Sequence, residues 1–306
     1  MSNPLVSVVL PAYNHENYIA ESIRSVIAQD YDNLELVVLN DGSRDKTDEV
    51  IRSLEAECRA RFVRYEYINK ENEGVARTLN RGIEWARGVY VSSISSDDLM
   101  KPYKITVLMS MFEGAEPDVA MACGDADFID EVSDLIALPP KGRTSFLKYH
   151  TEGRTDLDPE RNFFAYDTLI NSNYVPGMAM IWKREALMAV GCFTPGVAIE
   201  DWDLWLKLAK HYRCRYVDVP VASYRLHDTN TIRVAVPKMR IGIDGIYERE
   251  FPYVLRHCRS LAPKVARDWL KNSRQLYRAG YRGYLARYLR LDVVLAAMGI
   301  VLPARS

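Results

Sequence analysis

Short apolar runs alternate with segments of helical period along the first third of the chain. Val6 to Leu10 is a short, valine-rich run, apolar but for Ser7, the pattern of a strand covered on both faces. It stops at Pro11-Ala12-Tyr13-Asn14, and Ile19, Ile23, Val26 and Ile27 then recur at helical spacing. Leu34 to Leu39 is a second run and ends in Asn40-Asp41-Gly42-Ser43. A helix through Val50, Ile51 and Leu54 follows, with Thr47 or Asp45 as its cap. Arg64 to Asn69 alternates as a third strand, and after the turn Asn72-Glu73-Gly74 a helix runs through Val75, Leu79, Ile83 and Ala86. Gly88 breaks that helix, and Val89, Tyr90, Val91 and Ile94 form a fourth strand. It ends in Ser95-Ser96-Asp97-Asp98, and a new helix can begin at Leu99-Met100-Lys101-Pro102. Alternation with short connections predicts an α/β fold with a right-handed, mostly parallel sheet.

Beyond residue 118 the pattern loosens. Val119 to Cys123 and Phe128-Ile129 read as short strands, and 132–165 as a long polar loop that covers or selects an acceptor. Met178 to Trp182 reads as a strand, and Arg184 to Val190 as a helix closed by Gly191. Glu200 to Leu208 reads as a helix with an apolar face. Arg215 to Val219 and Val221 to Tyr224 read as strands broken by Pro220. The expected organisation is a body of residues 1–235, with halves 1–100 and 101–235, and a basic, amphipathic helical tail over 236–306.

Composition adjusts this picture in two places. The 306-residue chain carries a net charge of −1 and shows no nucleic-acid bias, but residues 238–306 hold 14 Lys/Arg against 5 Asp/Glu. Tyr277, Tyr281, Tyr284 and Tyr288 fall on one face of a helix continued through them, with arginines around it. Such a tail suits a peripheral contact with an anionic membrane, and equally packing on the body or a homodimer contact. The apolar run Leu291 to Pro303 is far short of the ~20 residues that span a bilayer. Five scattered cysteines without a C-x-x-C pair argue against a disulfide framework and a structural zinc site. Met-Ser-Asn-Pro runs straight into a strand without a signal peptide, so the expected location is cytoplasmic, at the inner face of a membrane if the tail binds one.

The candidate chemistry lies at strand ends. Asn14, Asp41 and Asp97 end three strands that a parallel sheet brings to one edge, where open α/β sheets bind ligands. Asp97 and Asp98 offer hard oxygens for Mg²⁺ or Mn²⁺; the plainer alternative is a turn with Asp98 capping a helix. Neither G-x-G-x-x-G nor G-x-x-x-x-G-K-[ST] occurs, so phosphates must be held another way. Glu200 and Asp201 begin a helix, as caps or with a general base between them. His227 stands beside Arg225 at a strand end, which points to a phosphate or a metal.

Six segments in order resemble the family-two glycosyltransferases of GT-A fold. They are Val6 to Asn14; Leu39 to Thr47; Asn72-x-Gly74 with Asn80-x-Gly82; Ser95 to Asp98; Glu200 to Trp205; and Tyr224-Arg225-x-His227. The resemblance implies inverting transfer of a sugar from a nucleoside diphosphate, UDP or dTDP, to a hydroxyl of a saccharide acceptor, lipid-linked if the tail meets membrane. A bacterial surface-polysaccharide (O-antigen) setting follows from the resemblance and the tail. It places Pro11, Ala12, Tyr13, Asn14, Asp41 and Ser43 at the nucleoside, with Asp41 on the base edge. It makes Asp97 the metal carboxylate and puts Asp98 beside the donor sugar or metal. Asp201 becomes the general base, with Glu200 and Trp202 on the acceptor side. His227 and Arg225 meet the metal or diphosphate. Two departures stand out. Ser95-Ser96 replaces the start of the family's Asp-x-Asp-Asp, leaving hydroxyls for the ribose and a weaker hold on metal. Leu79 stands where many members carry Arg, with Arg77 as the substitute. A nucleotidyltransferase is disfavoured because the first loop is not Gly-rich and basic. A non-catalytic sugar-nucleotide or glycan-binding protein has only the missing carboxylate in its favour and is opposed by Asp201.

Overall fold

The computed structural model describes residues 3–139, 142–152, 154, 157–158, 163–228, 230 and 236–301. Eight strands form one sheet: β1 (Val6–Ala12), β2 (Leu34–Asp41), β3 (Arg64–Lys70), β4 (Tyr90–Ser93), β5 (Leu99–Met100), β6 (Val119–Ile129), β7 (Met180–Lys183) and β8 (Arg213–Arg225). Their order is β3-β2-β1-β4-β7-β6-β8-β5. β1 pairs in parallel with β2 and β4, and β2 with β3. β7 runs antiparallel to both β4 and β6, which makes the sheet mixed.

The runs that read as two-sided strands are covered on both faces. Val6, Val8, Leu10, Leu36 and Val38 face a core with the helices Ile19–Ile27, Thr47–Ser53, Glu55–Arg61 and Lys104–Ser110. Val9, Val37, Leu39 and Val91 face the other core, with the helices Val75–Trp85 and Glu200–Ala209. Gly82 lets the Val75–Trp85 helix lie close on β1, because a Cβ there would stand 2.3 Å from Val9 Cγ1.

Several boundaries differ from the sequence pattern. The two short strands expected at 119–129 are one, and Pro220 does not split β8. At Gly124-Asp125, between the two expected strands, the register shifts and Asp125 pairs with Pro220 inside the ladder. Gly124 fits because a Cβ would meet Val221 Cγ2 at 2.7 Å. Buried Asp125 is satisfied by the Leu147 and Ala126 amides at 2.9 and 2.8 Å and by the Ser145 hydroxyl. Leu99-Met100 pairs with β8 instead of opening a helix, which starts at Lys104. Gly177–Ala179 is a 3₁₀ turn, so β7 begins at Met180. In the 132–165 stretch Ser145 caps a helix, Phe146–His150, and Phe163 and Phe164 are buried; residues 140–141, 153, 155–156 and 159–162 lie outside the described ones.

The C-terminal helices Val236–His257 and Ala262–Arg278 pack on the body: Phe251 and Trp269 share one core with Trp182 and Trp205. The tyrosine stripe is not one helical face. The helix ends at Arg278, Gly280 turns the chain with φ +97°, and Tyr284 and Tyr288 sit on a separate 3₁₀ helix, Arg282–Leu289. No helix among the described residues is long and apolar enough to cross a membrane.

Candidate active site

The exits of β1 and β2 are stitched to each other. Asn14, at φ +53°, accepts from the Arg44 amide at 2.8 Å, and its own amide donates to Ser43 Oγ at 3.0 Å. Asn14 and Ser43, expected at the donor, therefore hold the two loops together. Ala12 is buried and turns its methyl into the core, so it offers the cleft no side chain. Tyr13 is 43% exposed and lines a side cavity of about 490 Å³ with Gly42, Arg44, Asn69, Lys70 and Asn72. Asp41 lies beneath and is bonded by Lys70 Nζ and by the Glu73 and Gly74 amides, both at 3.0 Å. Burial would raise its pKa, but the bonds from Lys70 and the Glu73 amide hold it below the ordinary carboxylate value.

The main cleft, about 590 Å³, runs along the sheet edge and is lined by Pro11, Leu79, Ser95, Asp97, Asp98 and the start of the Glu200–Ala209 helix. Among the described residues, no Lys or Arg lines it. Arg77 is exposed and is not among the lining residues, so the expected replacement for the family's arginine does not reach the cleft. Its place on the helix turns it outward, while Leu79, two residues on, faces in.

Asp97 meets two imidazoles. His227 Nε2 lies 3.0 Å from Asp97 Oδ2, and His15 Nε2 lies 3.9 Å from the same oxygen. The ligand atoms of His15, Asp97 and His227 all fall within 4.8 Å of one another. Burial raises the Asp97 pKa, but the His227 bond and the two imidazole charges bring it below the usual range. Burial lowers that of His15, which favours the neutral imidazole that a metal requires. The sequence reading missed His15. Its signal was position: it follows Asn14 directly at the exit of β1, the edge where Asp97 ends β4. It supplies a donor where Ser95 has replaced the family's first carboxylate. Two nitrogens and one carboxylate fit a divalent cation, and suit Mn²⁺ better than the all-oxygen preference of Mg²⁺.

The serines divide. Ser95 is exposed at the cleft, whereas Ser96 is buried with its Oγ 2.7 Å from His15 Nδ1, which orients that ring. Asp98 is buried and accepts the Arg225 amide at 2.9 Å; burial, then the charge of Asp97, pushes its pKa well up. Lys104, also missed, is fully buried below it; Nζ donates to Met178 O at 2.6 Å, and burial lowers its pKa to about 7.

Arg225, expected at the diphosphate, is not among the residues lining the cleft. Its guanidinium is wholly buried, with Nε donating to Asp97 O at 2.7 Å, Nη1 to Asp130 O at 3.0 Å and Nη2 to Glu21 Oε2 at 2.7 Å. It braces the Asp97 backbone and the loop after β6.

On the opposite wall, Asp201 Oδ2 accepts from Asn173 Nδ2 at 3.0 Å and Oδ1 from the Trp202 amide at 2.7 Å. Burial raises its pKa against those bonds, so the carboxylate is a stronger base than an exposed one. Burial and then Asp201's charge push neighbouring Glu200 up to about 7. Trp202 lines the cleft, but its indole N–H is held by Leu169 O at 2.8 Å. Asp97, which belongs to the metal-type cluster, and the carboxylate of Asp201 thus line one cleft, a pairing suited to displacing an anionic leaving group by a hydroxyl.

The sequence model of the family described as Glycosyl transferase family 2 matches residues 7–186. An uncharacterized glycosyltransferase of Rickettsia typhi is 31% identical over 241 residues, 78% of this chain and 69% of that protein. One from Haemophilus influenzae is 39% identical over 232 residues, 76% of this chain and 68% of that protein. Among solved structures, S. aureus TarS 1-349 in complex with UDP-GlcNAc superposes with a TM-score of 0.60 at 16% identity, covering 97% of this chain and 88% of that one. The mannosyltransferase PcManGT from Pyrobaculum calidifontis, in complex with GDP-Man and Mn²⁺, gives a TM-score of 0.57 at 20% identity, covering 97% and 78%. These structural likenesses establish a shared fold.

Proposed function

The chain belongs to glycosyl transferase family 2, and from that premise we propose that it transfers a sugar, with inversion, from a nucleoside diphosphate to a hydroxyl of a saccharide acceptor, Asp201 acting as general base. The carrying observation is that Asp201 and the His15–Asp97–His227 cluster line or adjoin a single cleft. The nucleoside, UDP- or dTDP-linked, would lie by Pro11 and over the exposed ring of Tyr13. TarS with UDP-GlcNAc and PcManGT with GDP-Man and Mn²⁺ lend support to a nucleotide-sugar donor and a divalent ion. His15, Asp97 and His227 would hold that ion, which would supply charge neutralisation at the leaving diphosphate.

The chain's own residues would do the rest. Asp201 takes the proton of the acceptor hydroxyl while that oxygen bonds to the anomeric carbon. The anomeric bond to the diphosphate breaks on the opposite face, through an oxocarbenium-like state. Asn173 and the Trp202 amide fix the carboxylate without protonating it. Leu79, Trp202 and Trp205 exclude water from the wall behind the sugar. We assign the acceptor to a lipid-linked saccharide, in keeping with the basic C-terminal region.

Asp201→Asn is the test. Turnover falls by about 10²–10⁴-fold with donor affinity retained, since a general base contributes on that scale. Unchanged turnover would place the base elsewhere.

A further inference from the structure

The last described turns of the chain carry apolar side chains on the side turned away from the protein. In the helix Leu291–Ala297, Val293 and Ala296 are buried against the core. At 100° per residue, Leu291, Val294, Leu295 and Met298 lie on the opposite face, which has no polar residue. Leu291 is 65% and Met298 71% exposed. The preceding 3₁₀ helix turns Arg287 inward to Asp244 and Glu248, at 2.9 and 2.6 Å. That fixes its other faces outward, with Leu285 exposed and Leu289 85% exposed, next to exposed Tyr281 and Tyr288. A soluble surface scatters such residues singly; here they are consecutive in one packed unit.

Charge says what covers them. Lys271, Arg274, Arg278 and Arg282 are exposed just before this apolar tip. Among the described residues no carboxylate pairs with any of them. The remaining arginines of the unit, Arg287 and Arg290, are neutralised by Asp244, Glu248 and Asp292. An apolar tip with free cations, its nearby acids already paired to arginines, fits the interface of an anionic bilayer. It fits a second copy of this chain poorly, because symmetry would set the same cations against each other.

We propose that residues 271–300 are a membrane-docking surface, seating Leu285, Leu289, Leu291 and Met298 among the lipids and the four free cations at anionic headgroups. This rests on the lipid-linked acceptor for its purpose. The unit packs on the helix Val236–His257, which lends Met239, Ile243 and Tyr247 to the active-site cleft. The docking surface is thereby built into the cleft wall, holding the cleft beside lipid-borne substrate without a spanning segment.

The test is sedimentation of the full chain with phosphatidylglycerol–phosphatidylcholine vesicles, against phosphatidylcholine alone. Wild type pellets with the anionic vesicles, less so in high salt. The variant Leu289→Glu/Leu291→Glu/Met298→Glu binds at least about tenfold more weakly, as does Arg274→Glu/Arg278→Glu. Both variants keep the wild-type melting midpoint and donor binding, because all five side chains are exposed. Wild type left in the supernatant, equal binding by the triple variant, or a wild-type dimer that the triple variant dissociates would each overturn the proposal. Nucleotide-sugar binding is read separately, so loss of the transferase reading and loss of this one are told apart.

Discussion

Replacing Arg225 by Met tests the brace beneath the active site. The guanidinium is fully buried. Its five contacts are Asp97 O, Asp130 O, Glu131 O, Ser133 Oγ and Glu21 Oε2, at 2.7, 3.0, 3.3, 2.9 and 2.7 Å. It also lies 5.0 Å from the centre of the Tyr18 ring. Met fills the space of the stem and offers no donor. Three carbonyls then lose a donor in a buried setting, each worth about 1–2 kcal/mol. The Glu21 side chain is 47% exposed and rehydrates, so that pair adds only about 0.5 kcal/mol. Loss of the cation over Tyr18 adds about 1 kcal/mol, and relief of the buried charge offsets part of the sum. The net loss is about 4 kcal/mol. At roughly 2.1 cal/mol/K per residue over 306 residues, the melting midpoint falls by about 6 °C. Arg225→Lys keeps one cation with up to three donors and recovers about half. Scanning calorimetry or denaturant titration reads both. An Arg225→Met midpoint within about 1 °C of wild type would refute the brace.

Three further outcomes follow from the same geometry. Gly82→Ala should lower stability by about 1–2 kcal/mol, because a Cβ placed 2.3 Å from Val9 Cγ1 outweighs the ~1 kcal/mol gain in helix propensity; an unchanged or raised midpoint would mean that the helix is not seated this tightly. Glu200 binds a proton in the folded state up to about pH 7, against an ordinary value of 4.5, so its burial costs nothing below the unfolded value and progressively more as pH rises through that window. Glu200→Gln should therefore match wild type near pH 4.5 and be more stable by roughly 2 kcal/mol at pH 8, screening by solvent included; a difference that does not vary with pH would sink this assignment. His15→Ala should weaken Mn²⁺ binding by at least about tenfold in calorimetric titration, and wild type should prefer Mn²⁺ to Mg²⁺; equal Mn²⁺ affinity of the two proteins would remove His15 from the ligand set.

The sequence by itself determined the layered α/β plan. Val6–Leu10 and Leu34–Leu39 are apolar at every or nearly every position, and only a strand covered on both faces buries such a run. Helical periods between the strands then force parallel pairing and bring Asn14, Asp41 and Asp97 to one edge. The acidic pairs at 97–98 and 200–201 were legible for the same reason: local pattern fixes where a strand or helix ends. Tertiary structure decided what each polar group does with its neighbours. Asn14, Ser43 and Ser96 have donor-binding residue types, yet their partners lie 29, 29 and 81 positions away and use them as loop ties. Arg225 reads as a phosphate ligand until its distant carbonyl partners are known. His15 became visible only when β1 and β4 were set side by side. Pro220 reads as a strand break because its effect on the ladder depends on what lies opposite it, which is Asp125 at a register shift. Gly280 ended a helix that the tyrosine spacing carried through it, since one turn with positive φ outweighs a periodic pattern. Covalent spacing sets the elements; long-range contact assigns the side chains, because a hydrogen bond depends on distances that spacing along the chain does not contain.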